Sequence, residues 1–266
     1  MSSAEGWGLT SSFKTIKLVA GERASTIILS RPPLNIMNIE MMDEFSNALE
    51  DLAANKQLAV LIVKSGVEGV FSAGADVREH LPEMAEQLIR KFESLILKLL
   101  SFPTPTVCVV DGKCLGGGME LAMACDFVIA SEAAEFGQPE VKVGVFPPAA
   151  AALYLRLTSL KNVYTLLMAG KTVKAAEAKQ MGLVNEVVEK QQLEVFLSSF
   201  TEQLLANSSA VMRHAKKAIL SSLTLPFEQA LTKASDIYLN ELMRTEDAVE
   251  GLKAFLEKRK PVWRDK

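Results

Sequence analysis

The stretch "GGGMELAMACDFVIASEAAEFGQPE", Gly116 to Glu140, sets three glycines ahead of an apolar run whose one charge before Asp126 is Glu120, and it closes on Glu140. Successive glycines let a backbone come close to a ligand, and they leave the first N–H groups of the following helix without intrahelical acceptors. Such an end stabilises negative charge. Taken alone, Glu120 reads as a carboxylate offsetting the helix dipole from the first turn. Every other residue from Cys114 to Cys125 is glycine or apolar, however, so the helix is expected to be buried all round, where a carboxylate is costly unless it faces a cavity or a partner. The chain then runs out through the strand "DFVIAS" and back through "AEFGQPE", a path that can bring Glu140 beside the glycine turn. Two carboxylates so placed can hold and deprotonate one water. Phosphate-binding readings fit poorly, because there is no G-x-x-x-x-G-K-[ST] and "GKCLGGG" does not space its glycines as a dinucleotide fingerprint does.

Upstream, "GVFSAGADVREH" follows a strand that ends near Lys64, and the small residues Ala73, Gly74 and Ala75 can turn a backbone N–H toward the same cavity. Alone, this segment reads as a tight loop; paired with the glycine turn it supplies a second donor, each donor contributing on the order of 3 kcal/mol to an oxyanionic transition state. Ser72 lacks a G-x-S-x-G elbow and is no candidate nucleophile. Further out, "FKTIKLV" and "ASTIILS" read as strands around the turn "AGER". After "RPPLN" comes a helix, "NIEMMDEFSNALEDLAANK", with Met42, Phe45, Leu49 and Leu52 at helical spacing behind an Asn38 cap. The pattern recurs with the strand "LAVLIVKS", a loop, the helix "PEMAEQLIRKFESLILKLLS" and the strand "TPTVCVVDG". Alternation of this kind predicts an α/β fold of stacked layers over residues 13–190, behind a flexible N-terminus at 1–12. From about Gln191 the strand pattern ends and four helical segments fill 191–266. His214, in "MRHAKKA", is expected on a solvated helix face.

Composition sets the remaining limits. The 266 residues are 49% hydrophobic and 23% charged with a formal net charge of -3, which gives no electrostatic footprint for nucleic acid or an anionic membrane. No apolar run approaches the ~18 residues of a membrane helix. Cys108, Cys114 and Cys125 form no C-x-x-C pair and read as reduced core residues. The first residues lack a basic and apolar leader, so the expected location is the cytoplasm.

In this order and spacing, "FSAGADVRE", "GGGMELAMACD" and "FGQPE" resemble the enoyl-CoA hydratase/isomerase (crotonase) superfamily, and "RPPLN", "AKQMGLVNEVV" and "FLEKRKP" carry the likeness over nearly the whole chain. The resemblance implies a spiral of ββα units with a C-terminal helical trimerisation region, a homotrimer or dimer of trimers, and an acyl-CoA thioester as substrate with no metal or other cofactor. It implies that Ala75 and Gly117 supply the oxyanion N–H groups and that Glu120 and Glu140 are the catalytic acid and base. It also implies coenzyme A contacts from Leu34, Ala73, Ala75, Asp76, Val77, Arg78, Phe255 and Lys258, and an acyl pocket including His80, Phe146 and Pro147. Apolar residues from Leu220 and Leu223 through Phe227, Leu231, Ile237 and Leu239 to Leu242 fit the helical interface. The segment "GVFPPAAAALYLRL" departs from the glycine-rich version common in fatty-acyl hydratases and is similar to cyclohexa-1,5-diene-1-carbonyl-CoA hydratases. An isomerase or decarboxylase of the same superfamily is the alternative within the fold. An RNA-binding member is the alternative of another class, although the lysine-rich helix it would need offers only Arg90, Lys91 and Lys98 here.

Overall fold

The computed structural model describes residues 13–266, and the segment expected to be flexible, 1–12, lies outside the described residues. β1 (Ile16–Val19) and β2 (Ala24–Leu29) pair antiparallel with Ile16 opposite Leu29, and β2 alternates, burying Ser25, Ile27 and Leu29. Asn38 Oδ1 accepts the Met41 N–H at 3.1 Å and starts α1 (Ile39–Ala53), which buries Met42, Phe45, Leu49 and Leu52 as their spacing predicts.

β3 (Val60–Ser65) then runs parallel to β2, and here the chain departs from the sequence reading. The loop expected before α2 (Pro82–Leu100) contains a short strand, β4 (Val70–Ser72). The same happens on the next turn, where β5 (Thr106–Val110) is followed by β6 (Lys113–Leu115) before α3 (Gly117–Met123). On the one after, β7 (Phe127–Ser131) is followed by β8 (Glu135–Gly137) before α4 (Pro148–Leu153). Each of these three turns therefore gives its first strand to a large sheet and its second to a small one. α5 (Leu160–Leu167), β9 (Thr172–Lys174), α6 (Ala175–Gln180) and β10 (Glu186–Val188) complete the body. The sheet orders are β1-β2-β3-β5-β7-β10 and β4-β6-β8-β9. Three-residue strands show no alternation; β4, β6 and β8 exist because the neighbouring turn presents a parallel partner.

The helical region begins with α7 (Leu193–Leu205), followed by α8 (Ser209–Ser222), α9 (Phe227–Asn240) and α10 (Glu246–Leu256). Leu193 and Leu197 of α7 close over Val60, Ile62, Val107, Val109 and Ile129, so this helix completes the core of its own large sheet. Of the apolar residues expected at an interface, Ile237 is covered within the chain, whereas Leu223, Leu231 and Leu239 are exposed and Phe227 is 79% exposed. His214 is not on a solvated face: it is half-buried, its Nδ1 lies 2.7 Å from Ala210 O and its Nε2 4.0 Å from Glu241, which caps the end of α9. The three cysteines are buried and free, and burial pushes the Cys108 and Cys114 thiols well up, which keeps them protonated. Among the described residues, no helix is long and apolar enough to cross a membrane.

An ion pair between buried Lys216 and exposed Asp126 ties α8 to the sheet. Lys216 Nζ reaches Asp126 Oδ2 at 2.6 Å and Thr104 O at 3.2 Å, and the same Asp126 oxygen accepts the Thr106 N–H at 2.8 Å. Asp126 keeps water and the Thr106 donors when the ammonium is removed, but the buried Thr104 carbonyl loses one, so Lys216→Ala is expected to lower the unfolding free energy by about 1–2 kcal/mol. Urea denaturation of the full chain measures this, and an unchanged midpoint would remove the pair from the account of stability.

Candidate active site

The glycine turn works through close approach. Gly116, at φ 53°, reverses the chain from β6 into α3, and its N–H donates to Gly137 O at 2.9 Å. A Cβ there would lie 2.6 Å from Glu140 Oε1, and one on Gly118 would lie 2.6 Å from Ser72 Cβ. The strand pairing thus brings Glu140 to the start of α3, as the out-and-back path predicts, and every residue of α3 is buried, Glu120 included.

The second donor comes from the loop after β4. Met37 bridges this loop by donating to Gly74 O at 2.9 Å and accepting from Asp76 N at 3.0 Å, which leaves the intervening Ala75 N–H without an acceptor among the described residues. Ser72 Oγ fixes the approach, accepting from Gly74 N at 3.2 Å and donating to Asn35 O at 2.7 Å. Asn35, the last residue of "RPPLN", is itself buried and donates to Phe71 O at 3.0 Å. A Cβ built on Gly117 would sit 3.4 Å from Ala75 N, so the two backbone N–H groups are neighbours on one wall. Ala75 and Gly117 line a cavity of about 240 Å³ together with Glu120 and Glu140.

The two carboxylates differ in setting. Glu120 is 4% exposed, and its Oε1 accepts the Ala150 N–H at 2.7 Å. Burial raises its pKa to about 8 despite that hydrogen bond, and the charge of Glu140 adds to the rise. Glu140 lies in a 3-10 turn, Pro139–Val143, and burial raises its pKa to about 6. Behind it, Gln138 is oriented by its neighbours. The amide nitrogen donates to both Glu140 oxygens at 3.0 and 3.1 Å, and the amide oxygen accepts from Tyr154 Oη at 2.5 Å. Tyr154 is wholly buried, which pushes its phenol well up and keeps it a donor. Near neutral pH the pair therefore holds one proton, favouring Glu120, and titrates as a coupled unit. The site offers an anion-binding N–H pair beside one carboxylate able to take a proton and one carboxylic acid able to give one.

Of the residues expected here, Ala73, Ala75, Val77, His80, Gly117, Phe146 and Pro147 line the cavity with the two glutamates. His80 is half-buried, and burial lowers its pKa. Phe146 stands at the rim, 66% exposed. Asp76 does not face the cavity: its carboxylate caps the turn at Arg78 N and accepts from Arg78 Nε at 3.0 Å and Nη2 at 2.7 Å, which holds its pKa down. Arg78 reaches outward from that pair. Leu34 abuts the loop by accepting the Ala73 N–H at 3.0 Å, but neither it nor Phe255 nor Lys258 lines the cavity. Sequence reasoning missed the supports. Gln138 and Ala150 sit inside quoted motifs without showing what they bind, Tyr154 reads as an ordinary core aromatic, and Phe92 of α2 reads as plain helix core although it also lines the cavity.

The comparison with known proteins agrees with this geometry. A Thauera aromatica protein, cyclohexa-1,5-dienecarbonyl-CoA hydratase, is 36% identical over 239 residues, 90% of this chain and 92% of its own. The short-chain-enoyl-CoA hydratase of Clostridium acetobutylicum is 32% identical over 244 residues, covering 90% of this chain and 93% of that one. The crystal structure of an enoyl-CoA hydratase from Bacillus anthracis superimposes with a TM-score of 0.90 at 28% identity, covering 95% of this chain and 100% of that chain. The family model described as enoyl-CoA hydratase/isomerase matches residues 21–266, a span that takes in the spiral from β2 onward, Ala75, Gly117, both glutamates and the helical region. The chain belongs to the enoyl-CoA hydratase/isomerase family.

Proposed function

We propose that the protein is a hydro-lyase that adds water across the double bond of an α,β-unsaturated acyl-CoA, with a compact alicyclic dienoyl thioester, cyclohexa-1,5-diene-1-carbonyl-CoA, as the preferred substrate. The observation that carries the reaction class is the convergence of Glu120, Glu140 and the Ala75 and Gly117 N–H groups on one cavity. In this reading the thioester oxygen takes the N–H pair, which stabilises the enolate that forms as water attacks. Glu140 accepts a proton from the water as its oxygen bonds to the β-carbon. Glu120 gives its proton to the α-carbon, and the pair ends with the one proton it began with. No electron is transferred, so the addition needs no redox cofactor, and in this reading the N–H pair supplies the polarisation of the carbonyl.

Glu120→Gln and Glu140→Gln are each expected to lower hydration by at least about a hundredfold while leaving coenzyme A binding nearly intact. The profile of kcat/KM should fall below about 6 as Glu140 takes a proton and above about 8 as Glu120 loses one. Ordinary turnover in either mutant, or a flat profile across that range, would sink the two-carboxylate mechanism. Thermal melts give a second readout. Between the ordinary value of 4.5 and about 8 the folded chain keeps on Glu120 a proton that the unfolded chain has lost, so stability falls as pH rises through that window. Glu120→Gln removes this contribution to the slope and should melt increasingly above the parent as pH rises.

The substrate reading rests on the wall. Phe146, Pro147 and Pro148 line the cavity, and Pro148 opens α4, whose Ala150 N–H also holds Glu120. Prolines limit how far this wall can move to admit a long flexible chain. The similarity to the Thauera aromatica protein supports the same choice. In competition in one tube the cyclic dienoyl-CoA should be hydrated with higher kcat/KM than crotonyl-CoA. Phe146→Ala should narrow the gap by roughly 10-fold to 200-fold, the worth of one apolar contact in a pocket. A preference of the parent for crotonyl-CoA would overturn the cyclic substrate and leave the hydratase reading in place.

The proposed assembly is a trimer or dimer of trimers in the cytoplasm. Exposed Leu223, Phe227, Leu231 and Leu239 would be covered by neighbouring copies, and Phe255 and Lys258 would reach the nucleotide end of a neighbour's thioester. Sedimentation equilibrium at micromolar concentration should return a multiple of three chains; a monomer would refute it.

A further inference from the structure

A second cavity lies directly behind the first. It is an apolar groove of about 590 Å³ between α2, α4 and α8, with Ile96, Leu97, Ala152, Leu153, Leu220 and Leu223 among its walls. Ile89, Phe92 and Pro148 line both spaces and so form the partition between them. Phe92 is its least movable member. It is 6% exposed, and its Cζ lies 3.5 Å from where a Cβ on Gly117 would stand, so the ring is wedged against the wall that carries the N–H pair. A thioester held by that pair has Phe92 at the back of its acyl group, with an empty apolar volume beyond.

We infer that Phe92 is a specificity-determining residue, a septum that limits the depth of the acyl pocket, and that the groove beyond is a latent extension able to take the tail of a long-chain acyl-CoA once the ring is removed. The inference rests on the acyl-CoA reading of the site and deepens it. It assigns acyl length to one side chain on α2, a helix distinct from the proline-alanine wall of α4. In the parent protein the closed septum leaves a space suited to a compact acyl group, and a straight chain meets the ring before it is fully buried. Ala152 faces the groove from α4 and is exposed, so a larger side chain there can fill the groove without entering the core.

The test is the ratio of kcat/KM for dec-2-enoyl-CoA to that for crotonyl-CoA. Phe92→Ala should raise this ratio at least about tenfold, the worth of a few buried methylenes. Phe92→Leu, a milder change that guards against misfolding, should raise it less, and Ala152→Trp added to Phe92→Ala should return it to the parent value. An unchanged ratio in a folded Phe92 variant overturns the septum. So does a gain that survives Ala152→Trp, because the tail then leaves by the cavity mouth, and so does a parent protein that already treats both thioesters alike. Calorimetric binding of decanoyl-CoA and butyryl-CoA separates this idea from the hydratase reading. If no thioester is hydrated yet the binding ratio moves as described, the septum stands and the hydratase reading falls; hydration with unmoved ratios gives the reverse.

Discussion

Gly116 and Gly118 hold three chain segments closer than a side chain allows, and the site depends on that closeness. At Gly118 the start of α3 meets β4, which sets the two oxyanion-type donors side by side; at Gly116 it meets Glu140, which sets a carboxylate beside them. A Cβ at Gly118 would push β4 away from the start of α3, whereas one at Gly116 would displace the Glu140 carboxylate and strain a backbone held at φ 53°. The spiral itself supplies the force that keeps them together, since β4, β6 and β8 pair in parallel across those turns. Local conformation and long-range pairing thus converge on one spot.

The buried Glu120 shows what that arrangement costs. A carboxylate at 4% exposure is stable mainly in its neutral form, and the Ala150 N–H that it binds comes from the segment that also walls the cavity. Shape and protonation are therefore coupled: a shift of α4 that widened the cavity would also withdraw the N–H that Glu120 binds. Gln138 does the corresponding work for Glu140, holding both its oxygens while Tyr154 fixes the amide. The difference between the two pKa values follows from burial, deeper for one group than for the other.

Much of this was legible in the residues. The Asn38 cap and the α1 stripe follow from local rules, and the lone charge in an apolar helix pointed to Glu120 before any coordinates. Short strands escaped because three residues carry no period, and their partners lie a full turn of the spiral away. Asp76 shows the opposite limit. The resemblance implies a coenzyme A contact there, and what the residues do not show is that its carboxylate is committed to Arg78 and to capping its own turn. Gln138 and Tyr154 were invisible as a pair because they meet only through tertiary packing.

The covering of the large sheet by α7 has a consequence for biosynthesis. β3, β5 and β7 are complete once residue 131 has been made, but the face formed by Val60, Ile62, Val107, Val109 and Ile129 stays bare until Leu193 and Leu197 arrive. At roughly 5–20 residues per second the nascent chain carries that exposed apolar face for several seconds, with parallel strands that are slow to lock. The interval is written into the order of the elements, and a ribosome pausing between residues 131 and 197 would lengthen it, making this stretch of the message the place where translation speed and chaperone supply bear most directly on yield.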